Sequence, residues 1–385
     1  MKKAILYVFS GTGNTKKVAD EFRKNLKVYE IDTTVYMISD NFADIPNPSE
    51  YDIIGVGYPV HAFNAPEIVI KFAKALPNVK DKYTFIFKTS GEPLKLNEAS
   101  STKLIKVLRK KGYDVCLERH AVMPYNMIFR HNDDMAKQLW VLAKHLTKIY
   151  ASEVAKGKRE KIKYPRRRVV MTYPFRIEWP GARVNGKLYK VDMKKCIKCM
   201  KCVNACPTHN IKYKDGKFSF GNDCIMCVRC SFNCPTNAIS IGLLDSWKVN
   251  GSYKLKQLEL NNDIKGNFIN SDTRGVCKKV YKEYVDKSQE MLIDEYKRGD
   301  NALMVLPNEH INPLDENVSF VKDDASENIN LIDEQSKKND VAEPLENMIA
   351  TEPIDVAIIS ENDIDSITSD IISDENIVES TSNID

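Results

Sequence analysis

Several familiar signatures are missing from this chain. No apolar run approaches the roughly 18 residues that a membrane span requires. The start, Met1-Lys2-Lys3 followed by Ala4 to Phe9, only imitates an export signal. Its apolar stretch is shorter than the roughly seven or more residues of such a segment, and no small-residue cleavage site follows. A cytoplasmic location is therefore expected. No G-x-x-x-x-G-K-[ST] loop for a nucleoside triphosphate occurs, and no G-x-G-x-x-G follows a strand as a nicotinamide dinucleotide site requires. No catalytic triad or acid–base pair is visible. From Pro307 onward there is neither Gly nor Arg, and no turn or capping grammar defines a fold.

What remains is a chain of 385 residues, long enough for two or three folded units at about 150 residues each. Hydrophobic residues at 43% and charged residues at 29% are ordinary for a soluble protein with a large core. The net charge of +4 conceals two unlike parts. Pro307 to Asp385 holds 21 Asp and Glu against three Lys, which leaves 54 basic and 32 acidic residues upstream.

Ten cysteines without an export signal point to metal or redox chemistry rather than a disulfide frame. Cys196, Cys199, Cys202 and Cys206 followed by Pro207 read C-x2-C-x2-C-x3-C-P. Cys224, Cys227, Cys230 and Cys234 followed by Pro235 repeat the pattern 28 residues later, and Thr208/Thr236 and Ile211/Ile239 extend the repeat. A pair of zinc sites is the rival reading, but three evenly spaced cysteines plus Cys-Pro, duplicated, form the iron–sulfur signature. Val184 to Leu243 resembles the bacterial-type ferredoxins with two [4Fe-4S] clusters. In those the last cysteine of each run crosses to the other cluster. The resemblance thus implies one cluster on Cys196, Cys199, Cys202 and Cys234, and the other on Cys224, Cys227, Cys230 and Cys206. Ile211 to Tyr213 and Phe218 to Phe220 alternate about Asp215-Gly216 as a hairpin. Ala238 to Ile241 is expected to pair with Leu188 to Val191, and His209 to lie at the surface. Cys116, in an expected strand, and Cys277, in an expected helix, read as packing residues.

In the amino-terminal half, Ala4 to Phe9 forms an apolar run ending at Ser10-Gly11-Thr12-Gly13-Asn14-Thr15, after which Val18, Ala19, Phe22 and Leu26 recur at helical spacing. Strand, tight loop and helix offer free backbone N–H groups and a positive dipole end to an anion. Strands over Asp52 to Gly57, Tyr83 to Phe87 and Tyr113 to Leu117 alternate with helices around Ile68 to Leu76, Lys103 to Lys111 and Met135 to Ile149. That alternation predicts a doubly wound parallel sheet with ligands at its carboxyl edge. Met1 to about Ser152 resembles the flavodoxins, although Val8 and Phe22 depart from the usual residue types. The resemblance implies that Ser10, Thr12, Gly13, Asn14 and Thr15 hold the phosphate of FMN. It further implies that Tyr58, Phe63 and Asn64 flank the flavin, at least one ring stacking on it, while Thr89, Ser90 and Gly91 line the third loop.

The domain plan is therefore a flavodoxin-like α/β domain (1–155), a basic linker (156–183), a small α+β two-cluster ferredoxin domain (184–243), a packed extension (244–306) and an acidic, mostly disordered tail (307–385). In the linker, Lys156, Lys158, Arg159, Lys161, Lys163, Arg166, Arg167 and Arg168 face only Glu160 in sequence. Aromatic residues for stacking bases are sparse there, so an acidic docking partner is favoured over nucleic acid. Lys194, Lys195, Lys198 and Lys201 add positive charge beside one cluster and should raise its potential. Asp272 is a candidate cap for a helix from about Thr273 to Arg298. The arrangement resembles the flavodoxin and ferredoxin fusion proteins of anaerobic bacteria. This implies a low-potential electron carrier with FMN and two [4Fe-4S] clusters serving redox partner proteins. The alternatives are an FMN-dependent reductase of a small substrate, with His61, Tyr125 and Asn126 near its loops, and a redox-sensing adaptor.

Overall fold

A computed structural model describes residues 1–249 and 251–299. β1 (Lys2–Val8) is buried from Ala4 onward, as an unbroken apolar run requires of a strand covered on both faces. The Ser10–Gly13 loop leads into α1 (Asn14–Val28). β2 (Ile31–Met37) comes next, a strand the apolar pattern does not announce. It sits at the sheet edge and is only partly buried beyond Ile31, so its sequence carries no continuous apolar run. β3 (Ile53–Pro59), α2 (Glu67–Ala75), β4 (Lys82–Ser90), α3 (Thr102–Lys110), β5 (Tyr113–Val122) and α4 (Asp133–Ala155) complete the alternation. The five strands are parallel in the order β2-β1-β3-β4-β5. That is the flavodoxin-like order, in which strand order reverses beside β1 and opens a crevice at the carboxyl ends of β1 and β3.

The period of two along β1 splits its side chains between two cores. Ala4, Leu6 and Val8 meet Val18, Phe22 and Leu26 of α1 and Leu139, Ala143 and Leu146 of α4. Ile5, Tyr7 and Phe9 meet Ile68 and Phe72 of α2 and Leu104 and Leu108 of α3. Each large side chain buried this way contributes about 1.5–3 kcal/mol.

Segment 156–183 departs from the expected linker. α5 (Arg166–Met171), a short 3-10 turn (Pro174–Ile177) and α6 (Glu178–Gly186) fold against the body. Ile162, Tyr164 and Trp179 pack on the α2/α3 face. Part of the charge is matched: Arg159 pairs with Asp114 and Arg168 with Glu98, acids distant in sequence, while Lys158 pairs with the nearby Glu153 and Glu160. A local charge count could not show Asp114 and Glu98.

The cysteine-rich part contains β6 (Lys190–Val191), α7 (Lys201–Asn204), β7 (Ile211–Lys214), β8 (Lys217–Phe220), α8 (Arg229–Phe232) and β9 (Ile239–Ser240). β7 and β8 form the expected antiparallel hairpin, with Asp215 and Gly216 both at positive φ as a primed turn demands. β6 and β9 pair antiparallel. The 28-residue repeat extends to the backbone: Lys198, Met200 and His209 are left-handed, and so are Met226, Val228 and Asn237.

Beyond it, α9 (Leu255–Leu260) and α10 (Gly275–Arg298) pack on α4, adding Leu255, Leu258, Tyr281, Val285 and Leu292 to that core. Gln138 exchanges two hydrogen bonds with the backbone of Ile269, at 3.0 and 2.8 Å. Asp272 does not cap α10. The preceding turn is held by Asn270, whose Oδ1 accepts from the N–H groups of Asp272 and Thr273, and the N-cap position falls to Arg274. Cys116 is buried in β5 and Cys277 is half-buried in α10. Among the described residues no helix is long and apolar enough to cross a membrane. The acidic tail expected over 307–385 lies outside the described residues.

Candidate functional site

A cleft of about 350 Å³ opens at the carboxyl edge of the sheet, within the range of cofactor sites. Its first wall is the loop after β1. Gly13, at φ +106°, turns the chain into α1, whose first turn has no side-chain cap and no acidic residue. The helix therefore offers its N–H groups and dipole to an anion. Ser10, Thr12, Asn14 and Thr15 line the cleft, although their hydroxyls and amides are already engaged. Ser10 Oγ accepts from the Lys16 N–H at 3.2 Å, Thr15 and Thr89 share a hydrogen bond of 2.8 Å, and Asn14 donates to the Pro124 carbonyl at 2.8 Å.

The second loop differs from expectation at two of its three residues. Tyr58 is fully buried in the α2/α3 core, where its hydroxyl shares hydrogen bonds with Ser100 and Ser101, so it cannot stack on a ligand. The side-chain alternation of β3 turns it inward, a parity that the loop position alone did not reveal. Asn64 is also buried. It donates to the carbonyls of Ala62 and Thr172, both at 2.9 Å, and accepts from Arg176 Nε at 3.1 Å, which makes it a brace between this loop and α5. Phe63 does line the cleft. It and Ala62 are consecutive left-handed residues, held by paired backbone hydrogen bonds between His61 and Asn64.

Thr89, Ser90 and Gly91 line the third wall with Glu92. Ser90 Oγ shares a 2.8 Å hydrogen bond with His120 Nε2. A Cβ on Gly91 would stand 2.5 Å from the Tyr125 ring, so that residue must be glycine. Behind it the Tyr281 hydroxyl of α10 donates to the Gly91 carbonyl at 2.7 Å, which gives the extension a part in shaping the site.

Of the remaining wall residues, sequence reasoning placed His61, Tyr125 and Asn126 near the loops of a small-substrate site and did not foresee the others. Tyr125 and Asn126 follow β5, Trp247 follows the cysteine-rich part, Glu178 opens α6, and Met226, Cys227 and Val228 come from the second cysteine run. His61 Nδ1 and the Glu178 carboxylate are 3.9 Å apart. Burial pushes Glu178 up to about 7, with the charge of Glu67 adding to it, and burial pushes His61 down to about 4. The buried amide oxygens of Asn97 and Asn126, both on the cleft, have no hydrogen-bond partner within the chain. Two unpaired buried acceptors suit a polar heteroaromatic ligand with N–H or O–H donors, because leaving them unmatched costs about 1–3 kcal/mol each.

The eight motif cysteines gather in two groups that cross between the runs. Cys196, Cys199, Cys202 and Cys234 line one small cavity, together with Cys230 of the other group. Cys206 is an electrostatic neighbour of Cys224, Cys227 and Cys230. Among the described residues no three His, Cys, Asp or Glu side chains are gathered as a single-ion site requires. Backbone N–H groups donate to Sγ of Cys196, Cys206, Cys224 and Cys234 at 3.2–3.4 Å, in positions related by the same 28-residue repeat. Burial pushes the Cys224 thiol up to about 12 and Cys230 well above the ordinary range. Thiolates there require a cationic core to offset their burial, which the irons of a cluster would supply. Gly186, at the end of α6, admits Cys224 closely: a Cβ would meet its Sγ at 2.8 Å. His209 is exposed, as expected, and pairs with Asp40 at 2.7 Å.

Residues 180–239 match the 4Fe-4S dicluster domain family. This segment is a two-cluster iron–sulfur domain. No match is found among curated proteins. Among solved structures, oxidised flavodoxin 1 from Bacillus cereus is similar at 19% identity, covering 40% of this chain and 97% of that one with a TM-score of 0.30. A flavodoxin from the domain Archaea is similar at 20% identity over 40% and 99% of the chains (TM-score 0.26). The rubredoxin:oxygen oxidoreductase of Desulfovibrio gigas is similar at 13% identity over 41% and 37% (TM-score 0.29). The flavodoxin-like assignment of the amino-terminal part rests on its own sheet order.

Proposed function

We propose that this protein relays electrons between FMN, held in the cleft, and two [4Fe-4S] clusters, and on to partner oxidoreductases. The observation that carries the proposal is Cys227, which belongs to the second cysteine group and also lines the cleft. FMN supplies one- or two-electron chemistry and each cluster one-electron transfer. The cysteine groups then have distinct places. Cys206, Cys224, Cys227 and Cys230 form the proximal group, all half-buried, with Cys227 on the cleft wall. Cys196, Cys199, Cys202 and Cys234 form the distal group, of which Cys199 is exposed. Around the distal group Ile197 is 63% and Met193 43% exposed, and Lys194, Lys195, Lys198 and Lys201 are all exposed. An apolar centre with a basic rim suits an acidic redox partner.

A second reading, reduction of a small substrate at the flavin, is favoured by the His61–Glu178 pair, a candidate proton source on the cleft wall. Anaerobically purified protein should contain about eight irons and one FMN per chain, with broad absorption from thiolate-to-iron charge transfer. Photoreduction of the flavin should be followed by cluster bleaching within the same molecule, at a rate independent of protein concentration. Tightly held zinc in place of iron would refute the relay. Turnover of a small acceptor without any partner protein would favour the second reading.

A further inference from the structure

One short stretch, Met226-Cys227-Val228, both walls the cleft and carries a proximal thiol. Gly11 of the first loop lies so close to it that a Cβ would stand 2.6 Å from the Cys227 carbonyl oxygen. Arg229 reaches back across this seam. Its Nε donates to the Gly11 carbonyl at 3.0 Å, and its terminal nitrogens donate to the carbonyls of Ser10 and of Ala205, the latter at 2.9 Å. A single guanidinium thus ties the anion-binding loop, the second cysteine run and the residue before the crossing ligand Cys206. The planar fork of arginine can hold three such acceptors at once, whereas a lysine ammonium offers no matching geometry.

We propose that FMN binding and assembly of the proximal cluster are thermodynamically coupled, with Arg229 as the positioning residue that carries the coupling. The inference rests on the FMN reading above. When the four thiols are not gathered, stretch 224–230 loses what orders it. The cleft then loses a wall, and the first loop loses a clamp on two of its carbonyls. Linkage makes the effect reciprocal: whatever the cluster adds to FMN affinity, FMN adds to cluster retention.

The test is the Kd for FMN of the full chain, measured anaerobically by quenching of flavin fluorescence. Cys224→Ser and Arg229→Gln should each raise Kd tenfold or more, about 1.4 kcal/mol, while Cys199→Ser on the distal group changes it less than threefold. The double variant Cys224→Ser/Arg229→Gln should lie within threefold of the weaker single variant, because both remove the same coupling. FMN should also slow bleaching of the proximal cluster by a chelator, and that protection should vanish in Arg229→Gln. Should Cys224→Ser fail to fold, wild-type protein stripped of iron by chelation provides the same comparison. An unchanged Kd after loss of the proximal cluster overturns the coupling, as does equal weakening by Cys199→Ser or full additivity in the double variant. Failure of the intact chain to bind FMN overturns the FMN reading, and the coupling with it. Normal binding that ignores the proximal cluster overturns the coupling alone.

Discussion

Gly11 and Gly13 stand two residues apart in the same loop, yet replacing each with alanine should fail for a different reason. At Gly11 the backbone is open to any residue, but a Cβ would meet the Cys227 carbonyl oxygen at 2.6 Å and its Cβ at 3.1 Å. Ordinary contact begins near 3.4 Å, so the second cysteine run must retreat by about 0.8 Å. Forced overpacking of this kind costs about 1–3 kcal/mol. A retreat of that size also stretches the 3.0 Å bond from Arg229 to the Gly11 carbonyl beyond hydrogen-bonding range. A charge-assisted bond is worth about 1.5–3 kcal/mol, so flavin affinity should fall at least tenfold. At Gly13 there is nothing within 4 Å of an added Cβ, but the φ of +106° is one that an L residue adopts only under strain, at about 1–3 kcal/mol. Gly11→Ala should therefore alter both FMN affinity and the circular dichroism of the clusters. Gly13→Ala should weaken FMN binding and leave the cluster spectrum intact. Fluorescence titration and visible circular dichroism read the two effects separately. A Gly11→Ala protein with wild-type Kd and wild-type cluster spectrum would refute the claim that the cysteine run bears on the anion-binding loop.

Three other variants probe the site and its surroundings. Tyr58→Phe should cost about 1 kcal/mol of stability, through the lost hydrogen bonds to Ser100 and Ser101, and leave FMN affinity unchanged, since the ring faces the core; denaturant titration and fluorescence check the pair of effects. Glu178 is held at about 7, above its ordinary 4.5, so its ionisation opposes folding increasingly as pH rises from about 4.5 to 7 and to a constant extent above that. Glu178→Gln should accordingly be more stable than wild type, by a margin that grows between pH 6 and pH 8 towards about 3 kcal/mol for a shift of this size, and a difference independent of pH would contradict its burial as a neutral acid. Replacing Lys194, Lys195, Lys198 and Lys201 by glutamine should lower the potential of the distal cluster and leave the proximal one in place. It should also slow electron transfer to an acidic partner at low salt far more than at high salt. Potentiometric titration giving identical midpoints before and after the change would remove the lysines from any role in tuning.

Much of this protein could be read in its residue order, because the relevant physics is local. The cysteine spacing and its 28-residue repeat carry the cluster chemistry, and the repeat recurs in the left-handed backbone of Lys198, Met200 and His209 and their counterparts. The run Ala4 to Phe9 and its glycine loop are sufficient for a buried parallel strand feeding an anion-binding helix. Strand β2 was not legible, since an edge strand need not be apolar. The expected roles of Tyr58 and Asn64 failed because the direction of a side chain at a strand end depends on sheet parity and on a helix that arrives more than 100 residues later. The charge of 156–168 read as an unmatched basic linker because two of its acidic partners, Asp114 and Glu98, lie far away in the chain.

What the sequence by itself determined is the kind of chemistry and the local frames that hold it, since ligand spacing, turn residues and apolar period act over a few residues. Only the tertiary structure decided which cysteine group adjoins the cleft. It brought Cys227 and Arg229 against a loop more than 200 residues away, and Glu178 and Trp247 into the lining of the same cleft. Such long-range contacts come from packing complementary surfaces, whose shapes exist only once each part has folded.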